Sequence, residues 1–321
     1  MNNSPSSIVK QVRTVIVGKD DVIAKTLMAI LSGGHVLLED VPGTGKTTLA
    51  LALSKTLGLQ FKRMQFTSDS MPSDITGFSV YDKSGGTFAY TPGAAMTNLL
   101  LADEINRTSS KTQSALLEVM EEGQITVDGV TRPVPQPFIV IATQNPVGSA
   151  GTQLLPQAQL DRFMIRLHMG YPDLESEISL LADRQTSNPL DALVPLFSAD
   201  DLIRMKQEAA DIHIADAIYE YVTQLARATR SHPMIQLGLS PRGALAVCRM
   251  AKSYAYLVGR SYVLPEDVCT IFSDVAAHRL ILSPKARLAQ MSADDVLGDV
   301  LDAVPMPQPV KKSVSVKGGR A

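Results

Sequence analysis

A glycine-rich run near the N-terminus carries the strongest chemical signal: Val41, Pro42, Gly43, Thr44, Gly45, Lys46, Thr47 and Thr48. It directly follows the apolar stretch HVLLE and precedes a helical pattern, which is the context that a phosphate-binding loop requires. Glycines let backbone N–H groups surround phosphate oxygens, and the positive end of the next helix adds to the attraction. We therefore expect these eight residues to bind a nucleotide, with Lys46 at the β and γ phosphates and Thr47 on magnesium.

Asp40 departs from the usual pattern, because the eight-residue consensus begins with glycine at that position. The aspartate lies on the strand side of the loop, where we expect it to loosen the loop. The rest of the match is intact, so the prediction of a phosphate site stands.

Two acids, Asp103 and Glu104, end a second apolar run, NLLLADE. Charges at the end of a buried strand are costly unless a metal ion or a water-filled site receives them. We expect Asp103 to anchor magnesium and Glu104 to orient and polarise the water that attacks the γ phosphate. An ordinary acid pair on a solvated loop is the other interpretation, and the upstream phosphate loop makes it the weaker one.

A third apolar run, FIVIATQNP, ends in polar residues that include Asn145. The carboxyl ends of strands in a parallel sheet are where ligands bind, so Asn145 is placed to contact the γ phosphate or the attacking water. Asn-Pro is also a common way to open a turn, and the spacing alone leaves both interpretations open.

The elements that must position these residues alternate between strand and helix. The strands are nearly continuous apolar runs, as in a parallel sheet covered on both faces, and we predict them at residues 35–39, 98–102 and 138–143. Helical patterns begin at Thr47 and after Thr108, the second opening with hydroxyl caps and closing at Gly123. This order predicts an α/β sheet.

Two predicted β-hairpins interrupt this rhythm. VYDKSGGTFAY turns at Gly85-Gly86, and QITVDGVTRPV turns at Asp128-Gly129. They add no catalytic group, so we interpret them as contact surfaces or levers. Phe88 and Tyr90 are a candidate apolar anchor for a partner, although a hairpin packed on its own domain explains them equally well.

We expect the acids Glu121 and Glu122 to form a solvated helix end.

The chain divides into three predicted parts. Residues 1–170 form the α/β nucleotide-binding core with the two hairpins, and residues 171–303 form a second domain that we predict to be all-α. Residues 304–321 contain three prolines followed by four bases and no acid, which indicates a flexible basic tail.

Bulk composition excludes several classes of protein. The net charge is -2 and the pI is about 6.2, so the chain has no overall attraction to nucleic acid or to an anionic membrane. Two cysteines are too few for a disulfide framework, and the five histidines lack metal-ligand spacing. No run approaches the roughly 18 apolar residues of a membrane span. We expect a cytoplasmic protein without membrane insertion.

At this point the chain resembles the MoxR family of AAA+ ATPases over residues 17–268. The likeness rests on QFTSDSMPSDITG, LLLADEINR, KTQSALLEVMEEGQITVDG, IATQNP, LPQAQLDRF and LSPRG, in that order. It implies a P-loop AAA+ fold, with a parallel sheet flanked by helices and a smaller all-α lid. It also implies that Val17 and Gly18 contact the nucleotide, that Asn145 is sensor 1, that Arg162 is an arginine finger for a neighbouring subunit's ATP, and that Arg242 is sensor 2.

The resemblance further implies ATP and Mg²⁺ as cofactors and a homo-oligomer, expected to be a hexameric ring. Such rings remodel or activate protein clients, here a partner with a von Willebrand A domain. A nucleic-acid motor related to the minichromosome maintenance helicases is an alternative, but the Val127-Asp128-Gly129-Val130 hairpin tip has no base or aromatic residue for nucleic acid. A chelatase-like subunit is a second alternative.

Overall fold

Five parallel strands form the central sheet of the protein. The computed structural model describes residues 4–41, 43–83, 85–145, 155–183 and 188–308. Its strands are β1 (Val36–Glu39), β2 (Phe61–Gln65), β3 (Phe78–Asp82), β4 (Thr87–Thr91), β5 (Leu99–Asp103), β6 (Gln124–Val127), β7 (Val130–Pro133), β8 (Ile139–Gln144), β9 (Ile165–Leu167), β10 (Ile235–Leu237) and β11 (Ile281–Leu282). The central sheet has the order β2-β5-β8-β1-β9.

Thirteen α-helices lie in the described ranges: α1 (Ser6–Val12), α2 (Asp20–Leu31), α3 (Lys46–Thr56), α4 (Pro72–Thr76), α5 (Ser110–Glu122), α6 (Gln157–Leu160), α7 (Leu174–Asp183), α8 (Ala199–Ala210), α9 (Asp216–Ser231), α10 (Pro241–Leu257), α11 (Pro265–Ala276), α12 (Pro284–Leu288) and α13 (Ala293–Ala303). Short 3₁₀ turns cover Ile105–Arg107, Pro189–Ala192 and Ala277–Arg279. None of these helices is long and apolar enough to cross a membrane.

The three predicted strands are the interior strands β1, β5 and β8 of the sheet. Side chains on successive residues enter two different cores, one on each face of the sheet. In β5, Leu99 and Leu101 join one core while Leu100 and Ala102 join the other. Burial on both faces explains why each of these strands is an unbroken apolar run.

Local capping ends α5 where the sequence predicts. The Ser109 hydroxyl accepts a hydrogen bond from the backbone N–H of Thr112 at 3.3 Å, and Gly123 closes the helix with a left-handed φ of 63°. Glycine adopts this conformation without the Cβ clash of other residues. The helix therefore stops directly before β6.

Both predicted hairpins are present as two-stranded antiparallel sheets, β3-β4 and β6-β7. In the second, Asp128 and Gly129 both have positive φ, at 51° and 75°, as the tight turn between twisted strands requires.

Among the described residues after α7, the regular elements are helices and one antiparallel pair of strands, β10-β11, which we did not predict. These strands have only three and two residues, too few to give a periodic signal. The helices α8 to α11 and α13 share one apolar core with α2, α3 and one face of the sheet. The boundary at residue 170 stays a prediction, and residues 309–321 of the predicted tail lie outside the described residues.

Candidate functional site

A cleft of about 360 Å³ lies at the carboxyl ends of β1, β5 and β8. This edge of a parallel sheet is the usual place for a ligand. Most of the predicted nucleotide, metal and catalytic residues line the cleft, together with two that we did not predict: Gly43, Gly45, Lys46, Thr47, Thr48, Arg63, Gln65, Asp103, Glu104 and Asn145. Val41 and Thr44 belong to the same loop without lining the cleft, and Pro42 lies outside the described residues.

The phosphate loop depends on two left-handed glycines. Gly43 has a φ of 88° and Gly45 a φ of 92°, conformations that other residues rarely adopt. Gly45 is the N-cap of α3, so the first backbone N–H groups of the helix open towards the cleft. Apart from its chain neighbours, no described atom lies within 4 Å of the place where a Cβ on Gly43 would stand, which leaves room for a phosphate.

The ammonium group of Lys46 is held within the loop by backbone oxygens. Its Nζ donates to the carbonyl oxygens of Asp40 and Val41, each at 2.8 Å. Burial lowers the pKa of Lys46, while the nearby carboxylates of Asp40, Asp103 and Glu104 act in the opposite direction. A cation held by neutral carbonyls is available to pair with an entering anion.

Asp40 fastens the loop, contrary to our expectation that it would loosen it. One carboxylate oxygen accepts the backbone N–H of Val41 at 2.8 Å, and the other accepts the backbone N–H of Gly170. These bonds join the start of the loop to the segment that follows β9. Asp40 stabilises the loop because its carboxylate accepts hydrogen bonds from two backbone N–H groups, which a glycine at this position could not bind.

Asp103 ends β5 in a dense polar network. Its Oδ1 accepts the hydroxyl of Thr143 at 2.6 Å, and its Oδ2 accepts the guanidinium of Arg63 on β2 at 2.6 Å. Thr143 in turn accepts the backbone N–H of Glu104 at 2.9 Å. The carboxylate is therefore fixed in orientation within the cleft, as a metal-anchoring acid should be.

Glu104 occupies a strained backbone position, with a φ of 58° directly after the buried strand. Strain in a non-glycine residue is often found at functional sites. Both carboxylate oxygens have partners: Oε1 accepts the side-chain amide of Asn145 at 2.9 Å, and Oε2 lies 3.0 Å from Nε of Arg107. Asn145 thus lies beside the candidate base, which favours its interpretation as a sensor over that of a turn opener.

The two predicted arginines, Arg162 and Arg242, lie away from the cleft and next to each other. Both contact the carboxylate of Glu121 at the end of α5, Arg162 through Nε at 3.2 Å and Arg242 through Nη1 at 3.1 Å. Glu121 is exposed at the helix end, as we expected, and in addition it contacts both arginines. The sequence alone did not predict this role of Glu121, because Arg162 and Arg242 lie 41 and 121 residues further along the chain.

Arg279 holds the segment that carries Arg162. Its buried guanidinium contacts the carboxylate of Asp161 at 2.8 Å and donates to the backbone carbonyls of Phe163 at 2.6 Å and Met164 at 3.1 Å. The adjacent His278 also lies 3.1 Å from the Phe163 carbonyl. The helical half of the chain therefore fixes the backbone on both sides of Arg162.

Val17 and Gly18 lie between α1 and α2, beside the start of α7, and do not line the phosphate cleft. A Cβ on Gly18 would overlap the Ser176 hydroxyl, so the glycine permits this close approach. Ile16 lies near the phosphate loop, since its Cδ1 is 4.0 Å from the place where a Cβ on Gly45 would stand.

Sequence reasoning missed three functional candidates: Arg63, Gln65 and Arg107. Arg63 and Gln65 alternate along the edge strand β2 and reach the cleft only because β2 pairs with β5. Arg107 was visible in the LLLADEINR run, three residues after Glu104, where a 3₁₀ turn brings the two side chains together.

Comparisons with known proteins agree with this geometry. Residues 35–165 match the ATPase family associated with various cellular activities (AAA), and residues 227–300 match an AAA lid domain. The chain is 46% identical to the uncharacterized protein YeaC of Bacillus subtilis (strain 168), over 93% of each chain. It is 39% identical to the chaperone MoxR1 of Mycobacterium tuberculosis, over 93% of this chain and 81% of the relative. A solved structure of a candidate ATPase from Cytophaga hutchinsonii has a TM-score of 0.87, 37% identity and 94% coverage of both chains.

The parallel sheet, the phosphate loop after β1 and the acid pair after β5 define a P-loop protein of the AAA+ class with a lid domain. Within that class, the chain belongs to the MoxR family of AAA+ ATPases.

Proposed function

We propose that this protein hydrolyses ATP with Mg²⁺ in sites completed between neighbouring subunits, and uses that cycle to remodel a protein partner. One observation carries the proposal. The cleft holds the lysine, the acid pair and the amide of an ATPase site, while the two arginines that would complete it contact Glu121 elsewhere on the same chain.

The residues of the cleft fit the nucleotide and its metal. Lys46 would exchange its bonds to loop carbonyls for bonds to phosphate oxygens, which are stronger because both partners are charged. Thr47 and Asp103 would hold Mg²⁺, which neutralises negative charge on the phosphates. Glu104 would accept a proton from the attacking water, with Asn145 orienting that carboxylate.

Arg162 and Arg242 would act on the ATP of an adjacent subunit. Both guanidinium groups are partly exposed, with 31% and 49% of their side chains accessible, and they share one partner. A positive group at the γ phosphate stabilises the charge of the transition state. The family resemblance supports a closed homo-oligomeric ring, and we propose six subunits.

The β3-β4 hairpin is the surface that we propose for partner contact, with one change from our sequence interpretation. Phe88 is exposed and stacks edge-on against Tyr81, with ring centroids 5.3 Å apart. Tyr90 instead packs on its own domain, since its hydroxyl donates to the Thr76 carbonyl at 2.7 Å and Arg132 covers its ring at 4.1 Å. The exposed pair is therefore Tyr81 and Phe88.

A protein partner is better supported than nucleic acid. Arg132 is the only basic residue near the tip of the β6-β7 hairpin. Its guanidinium lies over the Tyr90 ring and donates to the Val130 carbonyl oxygen at 3.1 Å. A hairpin that follows the backbone of a nucleic acid needs unpaired Lys or Arg side chains, or stacking aromatic residues, at its tip. We propose that the partner carries a von Willebrand A domain and that the protein is cytoplasmic.

A mixing experiment tests the shared site. Arg162→Ala should bind ATP like the wild type but hydrolyse it on the order of 10³-fold more slowly, and Lys46→Ala should not bind it. Mixing the two inactive variants should restore part of the activity, because some interfaces then combine an intact cleft with an intact Arg162. An Arg162→Ala variant that stays fully active, or turnover per subunit that is independent of protein concentration, would remove the shared site from the proposal.

A further inference from the structure

A second cavity, larger than the nucleotide cleft, lies between the two halves of the chain. Its volume is about 660 Å³, within the range of small-molecule sites. The end of α2 and the Gln136-Pro137 segment form one wall, and α8, α9 and α10 form the other. None of the residues that line the nucleotide cleft lines this cavity.

Most of the cavity wall is apolar. Ile203, Tyr219 and Leu245 face it while keeping between 44% and 60% of their surface exposed. Exposed apolar side chains around a concavity favour a ligand with an apolar body, because burying them removes apolar surface from water.

Lys206 reaches this apolar cavity without a counter-ion. Within the described ranges, no carboxylate lies at ion-pair distance from its Nζ and no hydrogen bond satisfies it. The stem of the side chain crosses Gly33, where a Cβ would stand 3.6 Å from Cε and 3.8 Å from Nζ. Burial lowers the pKa of Lys206, and no neighbouring acid opposes that effect. An unpaired, partly buried cation is costly, so an anion that enters the cavity would supply the partner that Lys206 lacks within the described chain.

The other charges on the lining are also positive. Arg249 and Lys252 lie on α10 along the same cavity, and the described lining contains no Asp or Glu. Lys252 is held in place by a bond of 2.6 Å to the carbonyl oxygen of Ala210. The described lining therefore carries three cations and no acid in a chain whose net charge is -2.

We propose that this cavity binds a small organic carboxylate with an apolar body, whose carboxylate pairs with Lys206 and whose body lies against Ile203, Tyr219 and Leu245. The size of the cavity, the apolar wall and the unpaired cation together select this class of ligand. The site goes beyond the proposed ATPase function and does not depend on it.

A fluorescence titration provides the test. The chain has no tryptophan, so Tyr219→Trp places a single reporter in the cavity wall. The full-length reporter protein is titrated with decanoate and, separately, with decanol, which has the same apolar chain and no charge. We expect saturable binding of one decanoate per chain, with decanol at least about tenfold weaker because it forms no charge-assisted bond.

Substitutions of lysine separate the charge from the apolar wall. Lys206→Met should weaken decanoate binding at least about tenfold and leave decanol unchanged, whereas Lys206→Arg should keep much of the affinity. Lys285→Met, at an exposed lysine on α12, is the matched control and should change neither ligand. Thermal melting of each variant verifies that it is folded.

Three results would overturn the proposal. The first is a signal that does not saturate, as expected of detergent-like adsorption. The second is equal affinity for decanoate and decanol, which would make the cavity a purely apolar groove. The third is a folded Lys206→Met variant that binds decanoate as the reporter protein does. Because no readout involves ATP, failure of this proposal is distinguishable from failure of the ATPase proposal.

Discussion

The strongest structural prediction concerns Arg279, the buried arginine that fixes the backbone around Arg162. Only 3% of the Arg279 side chain is exposed, and its carboxylate partner Asp161 is 26% exposed. Breaking a buried ion pair by removing one partner costs about 3–5 kcal/mol, because the other charge and the carbonyl acceptors lose their donor. Since Asp161 can rehydrate partly, we expect Arg279→Met to lower the free energy of unfolding by about 3 kcal/mol, the low end of that range.

The matched control is Arg204→Met. Arg204 also pairs with an aspartate, Asp201, but 66% of its side chain is exposed and the pair lies within one helix turn. Exposed pairs contribute about 0–1 kcal/mol, so this variant should stay close to the wild type. Urea denaturation followed by circular dichroism measures both changes.

Activity adds a second readout. Arg279→Met should still bind nucleotide, because its contacts lie outside the phosphate cleft, but it should hydrolyse ATP slowly because the segment that carries Arg162 loses its anchor. Arg279→Lys keeps the charge but cannot make the same set of bonds, so it should recover little. Loss of less than about 1 kcal/mol in Arg279→Met, or wild-type turnover in that variant, would refute this account of the anchor.

Three further predictions concern stability. Burial lowers the pKa of His35 from 6.5 to about 4, so the unfolded chain binds more protons than the folded chain between these pH values. The free energy of unfolding should therefore fall by roughly 3 kcal/mol as the pH drops through this window. The fall should be smaller in His35→Gln, as urea denaturation midpoints measured across the window would show. Tyr90→Phe, which removes a hydroxyl bond to the end of α4, should cost about 1 kcal/mol in thermal melts, while Phe88→Ser should cost less than about 0.5 kcal/mol. Gly93→Ala should lower the melting temperature strongly, because the added Cβ would overlap backbone atoms of α4. Gly298→Ala within α13 is the control: its Cβ would meet no described atom outside its own helix within 4 Å, and the change should stabilise the chain by about 0.5–1 kcal/mol. Equal melting temperatures for the two variants would contradict this reasoning.

The sequence predicted the interior of the sheet but not its edges. Strands β1, β5 and β8 are buried on both faces and therefore form apolar runs that can be recognised without any partner. The edge strand β2 reads FKRMQ, and β9 reads IRL with Arg166 paired to Glu39. Charges are tolerated at an edge, so an edge strand carries no continuous apolar signal.

A similar division applies to the candidate site. Lys46, Asp103 and Asn145 were predicted because each lies at the end of a local strand pattern, and the sheet topology brings such ends together. Arg63 and Arg279 act through partners 40 and 118 residues away. No local spacing indicates such pairs, and only the folded chain identifies them.

The positions of the cations are the reason for proposing that one chain does not complete its own site. Of the two cations on the lining of the nucleotide cleft, Arg63 is committed to the carboxylate of Asp103, which leaves Lys46 as the cation that faces entering phosphates. Arg162 and Arg242 share the single carboxylate of Glu121, which balances only one of their two charges. Glu118 and Glu122 line the same surface pocket as Arg162, so the two partly exposed guanidinium groups themselves support the proposal, and not an excess of positive charge. Bringing Arg162 and Arg242 of one subunit against the cleft of the next would add guanidinium groups beside the phosphates, where one chain offers Lys46. This is the physical basis for proposing an assembly in which each ATP lies between two chains.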